Sequence, residues 1–189
     1  MNVLAEGSLG FDRHERAYRI TPIQEPERSA AFEGAYLSRL ALSPPLILQL
    51  DCWNSEGQLI IPYDELPFMV CHLDLETPEG RNTAMIETPE GEQVSVIYGT
   101  IVATPVEMKD QAGAAGVYFV FPDVSIRFVG NYRLKAALMR ITGGKALHVC
   151  VTRPFEIVHV RDYTAPPVTL LTRHFDSQGI VRFGLQRHL

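Results

Sequence analysis

The chain has little of what marks catalytic, membrane-spanning or secreted proteins. No apolar run approaches the roughly 20 residues that cross a bilayer as a helix, so no membrane partner is expected. Residues 1–16 lack the apolar stretch of a secretory signal. Cysteine is scarce: Cys52, Cys71 and Cys150 are odd in number and far apart, which favours reduced thiols in the cytosol or nucleus. No phosphate-binding loop, nucleophile elbow, dinucleotide fingerprint or paired-histidine metal motif occurs. The six histidines (His14, His72, His148, His159, His174 and His188) are scattered. Cys71 and His72 are adjacent and would point to opposite faces of a strand, so they would not easily share a metal. His148 and Cys150 share a face, but two ligands do not make a site. Asp64, Glu65, Asp74 and Glu76 could pair in space, yet nothing in their spacing demands it. A non-enzyme without cofactor, catalytic residue or metal ligand is the expectation.

What the chain does have is alternation. Val124, Ile126 and Phe128 oppose Ser125 and Arg127; after Gly130-Asn131, Tyr132, Leu134, Ala136 and Leu138 oppose Arg133 and Lys135. A period of two marks strands with one face in a core and one in water. Here the polar face carries only positive charge, which suits a polyanion such as nucleic acid. Further strands are expected at residues 18–23, 46–50, 68–75, 94–102 and 155–160. Gly143-Gly144 should close a hairpin between 136–141 and 147–151. Residues 24–43 read as a long loop and 104–116 as a connection. Two copies of Glu-Thr-Pro-Glu-Gly, at 76–80 and 87–91, carry turn chemistry. A helix is expected over 168–178, with Leu171 and Phe175 four apart and Gly179 at its C-terminal cap. At 189 residues, 46% apolar and 21% charged, the chain fits one β domain over 18–189 behind a loosely ordered arm, 1–17. Short strands punctuated by Pro and Gly point to a mainly β, antiparallel sandwich with one short C-terminal helix.

Net charge is −5 but uneven: residues 51–110 sum to −10, residues 111–189 to +6 and residues 1–50 to −1. Either a basic surface is set against an acidic one, or solvated faces differ in sign by chance.

Read in order, several phrases resemble the velvet domain, a fungal family of transcriptional regulators involved in development. They are Tyr18, Gln24, Pro26 and Arg28; Pro44-Pro45 leading into residues 46–50; Pro62-Tyr63 and the strand at 68–73; Gly99-Thr100; residues 116–138; 154–158; and 171–179. The resemblance covers about residues 18–182. It implies an immunoglobulin-like sandwich related in shape to the Rel-homology fold, and homo- or heterodimers with other velvet proteins. It further implies sequence-specific binding of double-stranded DNA in the nucleus, with a cytoplasmic pool. DNA would meet loops at one end of the sandwich. Arg28 and Arg39 would contact it from the loop at 24–43, and Arg182 and Arg187 from the stretch after the helix. A planar guanidinium fork takes guanine edges or phosphate equally well. The sequence departs from the family at Ala30, where a second arginine usually stands, and before the prolines, where one arginine replaces two. Arg28 and Arg39 can therefore also be read as solvated partners of Glu25, Glu27 or Glu33, and Arg133 and Lys135 as an exposed strand face. Trp53 could serve core or interface. The alternative function is an interaction subunit that pairs with another velvet protein without binding DNA.

Overall fold

The computed structural model describes residues 16–35, 37 and 39–185. The chain runs through β1 (Ala17–Gln24), β2 (Arg28–Ala30), β3 (Leu46–Trp53), β4 (Leu59–Ile60) and β5 (Met69–Glu76). Short strands follow: β6 (Met85–Glu87), β7 (Gln93–Ser95), β8 (Ile97–Tyr98) and β9 (Val102–Ala103). Then come β10 (Val106–Lys109), β11 (Ala115–Phe121), β12 (Ser125–Ile126), the long β13 (Gly130–Arg140), β14 (His148–Val151), β15 (Phe155–Val158) and α1 (Leu170–Ser177). The two large sheets have the orders β1-β3-β11-β10, with β4 on β3, and β2-β15-β13-β5-β9, with β14 also on β13; β12 with β8 and β6 with β7 form two-stranded ladders.

The sandwich follows from side-chain alternation. Leu46, Leu48, Leu50 and Cys52 of β3 face inward with Phe119 and Phe121 of β11, meeting Met69, Cys71, Leu73 and Leu75 of β5 and Leu134, Ala136 and Leu138 of β13. Ile47, Tyr118 and Val120 point the other way and are also buried, because Phe175 of α1 packs on them. The continuous apolar run at 46–50 thus has a cause: both faces of β3 are covered. Thr169 caps α1 by accepting the Thr172 N–H at 3.0 Å. Gln24 anchors the helix start, donating to Pro45 O at 2.8 Å and Thr172 Oγ1 at 2.9 Å. At the other end the Gln178 amide acts as a strand surrogate for the β10 edge: it accepts from Lys109 N at 2.9 Å and donates to Lys109 O at 2.8 Å. Gly179, at φ 71°, ends the helix as expected.

Several local expectations change. The presumed loop at 24–43 contains β2, which adds to β15 in parallel, whereas the other ladders are antiparallel. Residues 104–116 form a hairpin, β10 against β11, rather than a plain connection. The stretch 94–102 is broken into short strands. Ser125, expected on the polar face, is buried. Residues 1–15 of the N-terminal arm lie outside the described residues.

The cations of β13 are answered by their neighbours. Arg133 donates from Nη2 to Glu76 Oε2 at 2.8 Å, Lys135 Nζ lies 3.7 Å from Glu76 Oε1, and Arg140 donates to Glu65 Oε2 at 2.8 Å. Glu65 also accepts from Arg16 Nη1 and Tyr18 Oη, each at 2.7 Å. Burial works to raise the Glu65 pKa, but the bonds from Arg140, Tyr18 and Arg16 outweigh it and hold the carboxyl below its ordinary value. This network closes the end of the sandwich where β3 finishes and β5 begins. The opposite end carries the long loop.

Candidate nucleic-acid interface

At that opposite end, the loop between β2 and β3 is tied to two other segments, the end of β15 and residues 124–127. Ala31 N donates to Val158 O at 2.8 Å, Phe32 N to Ile126 O at 3.3 Å, and Glu33 N to Arg127 O at 2.9 Å. The returning limb is held as firmly: Leu42 N donates to Val124 O at 2.7 Å, and Ser43 and Arg28 exchange backbone bonds at 3.0 and 3.1 Å. The Ser29 hydroxyl donates to Ala41 O at 3.0 Å and joins the two limbs. Backbone satisfaction of this kind gives a long surface loop a defined shape.

The side chains that gather there come from four stretches of sequence. Phe32 and Tyr98 meet edge to face with centroids 5.0 Å apart. The Arg39 guanidinium lies 5.9 Å from the Phe32 ring and 5.8 Å from the Tyr98 ring. Arg127 sits 5.3 Å over Phe128. Arg161 lies 3.5 Å from Asp162, and His159 Nδ1 lies 3.5 Å from Glu33 Oε1. A cavity of about 520 Å³ opens between Phe32, Glu33, His159, Val160 and Arg161. A cation stacked on aromatic rings keeps its planar donors free at the edge and holds them in one orientation. Such a surface can grip phosphate or a base edge.

The expected site residues separate. Arg28 Nε is 3.2 Å from Glu156 Oε2, so this arginine sits beside a carboxylate on the neighbouring strand. Arg39 is exposed and, among the described residues, has ring contacts rather than an ion pair. The loop joins Arg28 and Arg39 as its two limbs. Arg182 lies elsewhere, in the segment returning along α1, where it lines a shallow cavity with Asp176. Arg187 lies outside the described residues. Sequence reasoning missed Phe32, Tyr98, His159 and Arg161 as members of this end, and placed Arg127 on a basic strand face without joining it to the loop. Tyr98, just before the Gly99-Thr100 pair, was the one usable signal.

Other chemistry is limited. Burial pushes the Cys52 thiol up to about 11 and the Cys150 thiol to about 12, and Cys71 is pushed up as well, so none is a ready thiolate at neutral pH. Among the described residues no three His, Cys, Asp or Glu side chains converge as a metal site, and no helix is long and apolar enough to cross a membrane.

Comparison with known proteins gives this geometry a family. Residues 81–184 match the model of the family described as velvet factor. The chain is 31% identical over 158 residues to the spore development regulator RYP2 of Ajellomyces capsulatus, covering 82% of this chain and 36% of that protein. It is 33% identical over 128 residues to the sexual development regulator VELC of Pyricularia oryzae, covering 66% and 28%. It is also 33% identical over 95 residues to a velvet complex subunit of Chaetomium globosum, covering 48% and 22%. The chain therefore spans about a third of the length of the curated relatives it matches.

Proposed function

The chain belongs to the velvet family, and from that premise we propose that it is a velvet regulator that dimerises and binds double-stranded DNA. The reader is the loop end of the sandwich. Arg39 makes the central contact, Arg127 and Arg161 flank it, and Arg28 contributes where the duplex competes with Glu156. Arg182 and Arg187 act as peripheral phosphate contacts. The protein works in the nucleus and keeps a cytoplasmic pool. The observation that carries this reading is the guanidinium of Arg39 held on the Phe32–Tyr98 pair at the tip of a braced loop. Each phosphate neutralised contributes about 0.9 to the slope of log affinity against log salt. A salt series with random-sequence duplex should therefore give a negative slope, and Arg39→Ala should reduce its magnitude by about one. Absence of binding near 50 mM salt removes the DNA claim, and an unchanged slope removes Arg39.

A second reading keeps the fold and drops the duplex. Glu156, Glu33 and Asp162 stand among the cations at the loop end, and those carboxylates favour an interaction subunit paired with another velvet protein. Mixing the chain with a DNA-binding velvet partner separates the two. A complex whose affinity for duplex is set by the partner alone supports the subunit; no complex at all removes it.

A further inference from the structure

The two outer faces of the sandwich differ. The first sheet hides its outward apolar residues Ile47, Met108, Tyr118 and Val120 under α1, whereas the second sheet leaves its own half-exposed: Val102 is 46% exposed, Val149 42%, Ile141 59% and Phe68 51%. The ladder between β5 and β13 arranges this outer face in rows. Ile141 N donates to Phe68 O, and the register then pairs Met139 with Val70, Ala137 with His72, Lys135 with Asp74 and Arg133 with Glu76. Val149 extends the Ala137 row on one side, and Val102 extends the His72 row on the other. The rows toward the Glu65 end are apolar, and those toward the loop end are charged. Asp74 is half-buried and has no ion pair among the described residues, because Lys135 leans toward Glu76.

We propose that this face pairs with a second copy of the same chain, about a two-fold axis lying parallel to the strands between β5 and β13. The proposal rests on the dimeric reading above and specifies its surface. An axis in that direction keeps each row opposite itself and exchanges left for right. Phe68 then meets the other copy's Ile141, Val70 meets Met139, and Val149 meets Val102. In the charged rows each Asp74 meets a Lys135, and each Glu76 an Arg133. Every row is self-complementary, as an isologous interface requires. Sheets that pack face to face keep their strands within about 30°. The two copies would therefore run the same way, with both loop ends on one side of the dimer, side by side for a single duplex. Four strands and the span from Phe68 to Glu76 frame roughly 500 Å² in projection at ordinary strand spacing and rise. That is below the ~800 Å² per partner of a standard interface, so dissociation in the micromolar range is expected.

Sedimentation equilibrium of the whole chain from about 1 to 300 μM tests this, with circular dichroism to verify folding. Wild type should dimerise. Ala137→Glu should weaken the dimer at least about 30-fold while the fold is retained. Asp74→Lys and Lys135→Asp should each weaken it about tenfold, and the double exchange should restore it to within a few fold of wild type. A chain monomeric throughout this range overturns the proposal, as does a dimer indifferent to Ala137→Glu or single reversals that the double exchange fails to rescue. Duplex binding is measured on the same samples. A dimer that binds no DNA would sink the DNA reading and leave the surface standing; an unaffected dimer that binds DNA does the reverse.

Discussion

Glu33 offers a perturbation whose two effects can be read apart. It is the one non-glycine residue among those described with positive φ, at 47°, in the tight turn where Ala35 N donates to Phe32 O. A side chain in this left-handed region costs about 1–2 kcal/mol. Glycine removes that cost but loses about 0.5–1 kcal/mol to the entropy of the unfolded chain. The contact with His159 is exposed on both sides and is charged only when the imidazole is protonated, so its loss matters little. Glu33→Gly should therefore be neutral to about 1 kcal/mol stabilising, whereas Glu33→Ala keeps the strained backbone and loses only the carboxylate. Both substitutions remove one negative charge from the proposed DNA end. At about 8 Å in salt-screened water this charge repels a phosphate by roughly 0.2 kcal/mol, so two or three phosphates give about twofold tighter duplex binding. Urea melts give the first quantity and duplex titrations at fixed salt the second. If Glu33→Gly is no more stable than Glu33→Ala, the backbone argument is wrong. If neither binds duplex more tightly, DNA does not approach this end.

Three other perturbations test the fold that positions it. Glu65→Ala removes the acceptor that Tyr18, Arg140 and Arg16 share, while Arg16 keeps Asp64, and should cost about 3 kcal/mol, seen in calorimetry as a fall in Tm of roughly 10 °C; a fall under about 2 °C would show the network to be dispensable. The His148 Nδ1 accepts the Ile20 N–H at 3.3 Å, and burial together with the charge of Arg19 lowers its pKa from 6.5. The unfolded chain therefore takes up this proton first, so stability present above pH 6.5 is lost as pH falls toward the lower folded value, and His148→Asn should flatten the dependence of urea midpoints over that window. A Cβ on Gly99 would sit 2.4 Å from Asp123 O at φ +98°, so Gly99→Ala should destabilise by more than about 2 kcal/mol; a melt like wild type would mean that the β8 turn can yield.

Much of the sandwich could be read from the sequence, because alternation states which residues face a core. It could not state what lies on the other side. The run at 46–50 announced a buried strand, but only the docking of Phe175 on Ile47 explains why its second face is apolar. β2 escaped notice because three residues show no period, and its partner β15 lies far along the chain. In the β10 hairpin, Val106 and Met108 alternate with Glu107 and Lys109, a signal masked by the following cluster of alanine and glycine. Trp53, left open between core and interface, stands at the end of β3 under the Arg19 guanidinium, 4.8 Å away.

Charge is where linear reading misleads most, and it bears directly on function. The acidic stretch 51–110 and the basic stretch 111–189 left two readings open, surfaces of opposite sign or a chance difference between solvated faces. Folding instead sets β5 beside β13, so Glu76 meets Arg133 and Lys135, and Glu65 meets Arg140 across 75 positions. The cations of β13 are thereby paired with carboxylates of the acidic stretch. What cationic character remains at the loop end comes from separate segments: Arg39 on the rings of Phe32 and Tyr98, Arg127 on Phe128, and Arg161 after β15. Net charge is therefore the wrong quantity for judging DNA binding here. A few guanidinium groups fixed in direction can read a duplex with a shallow salt dependence, whereas a diffuse excess of lysine would produce a steep one without selectivity.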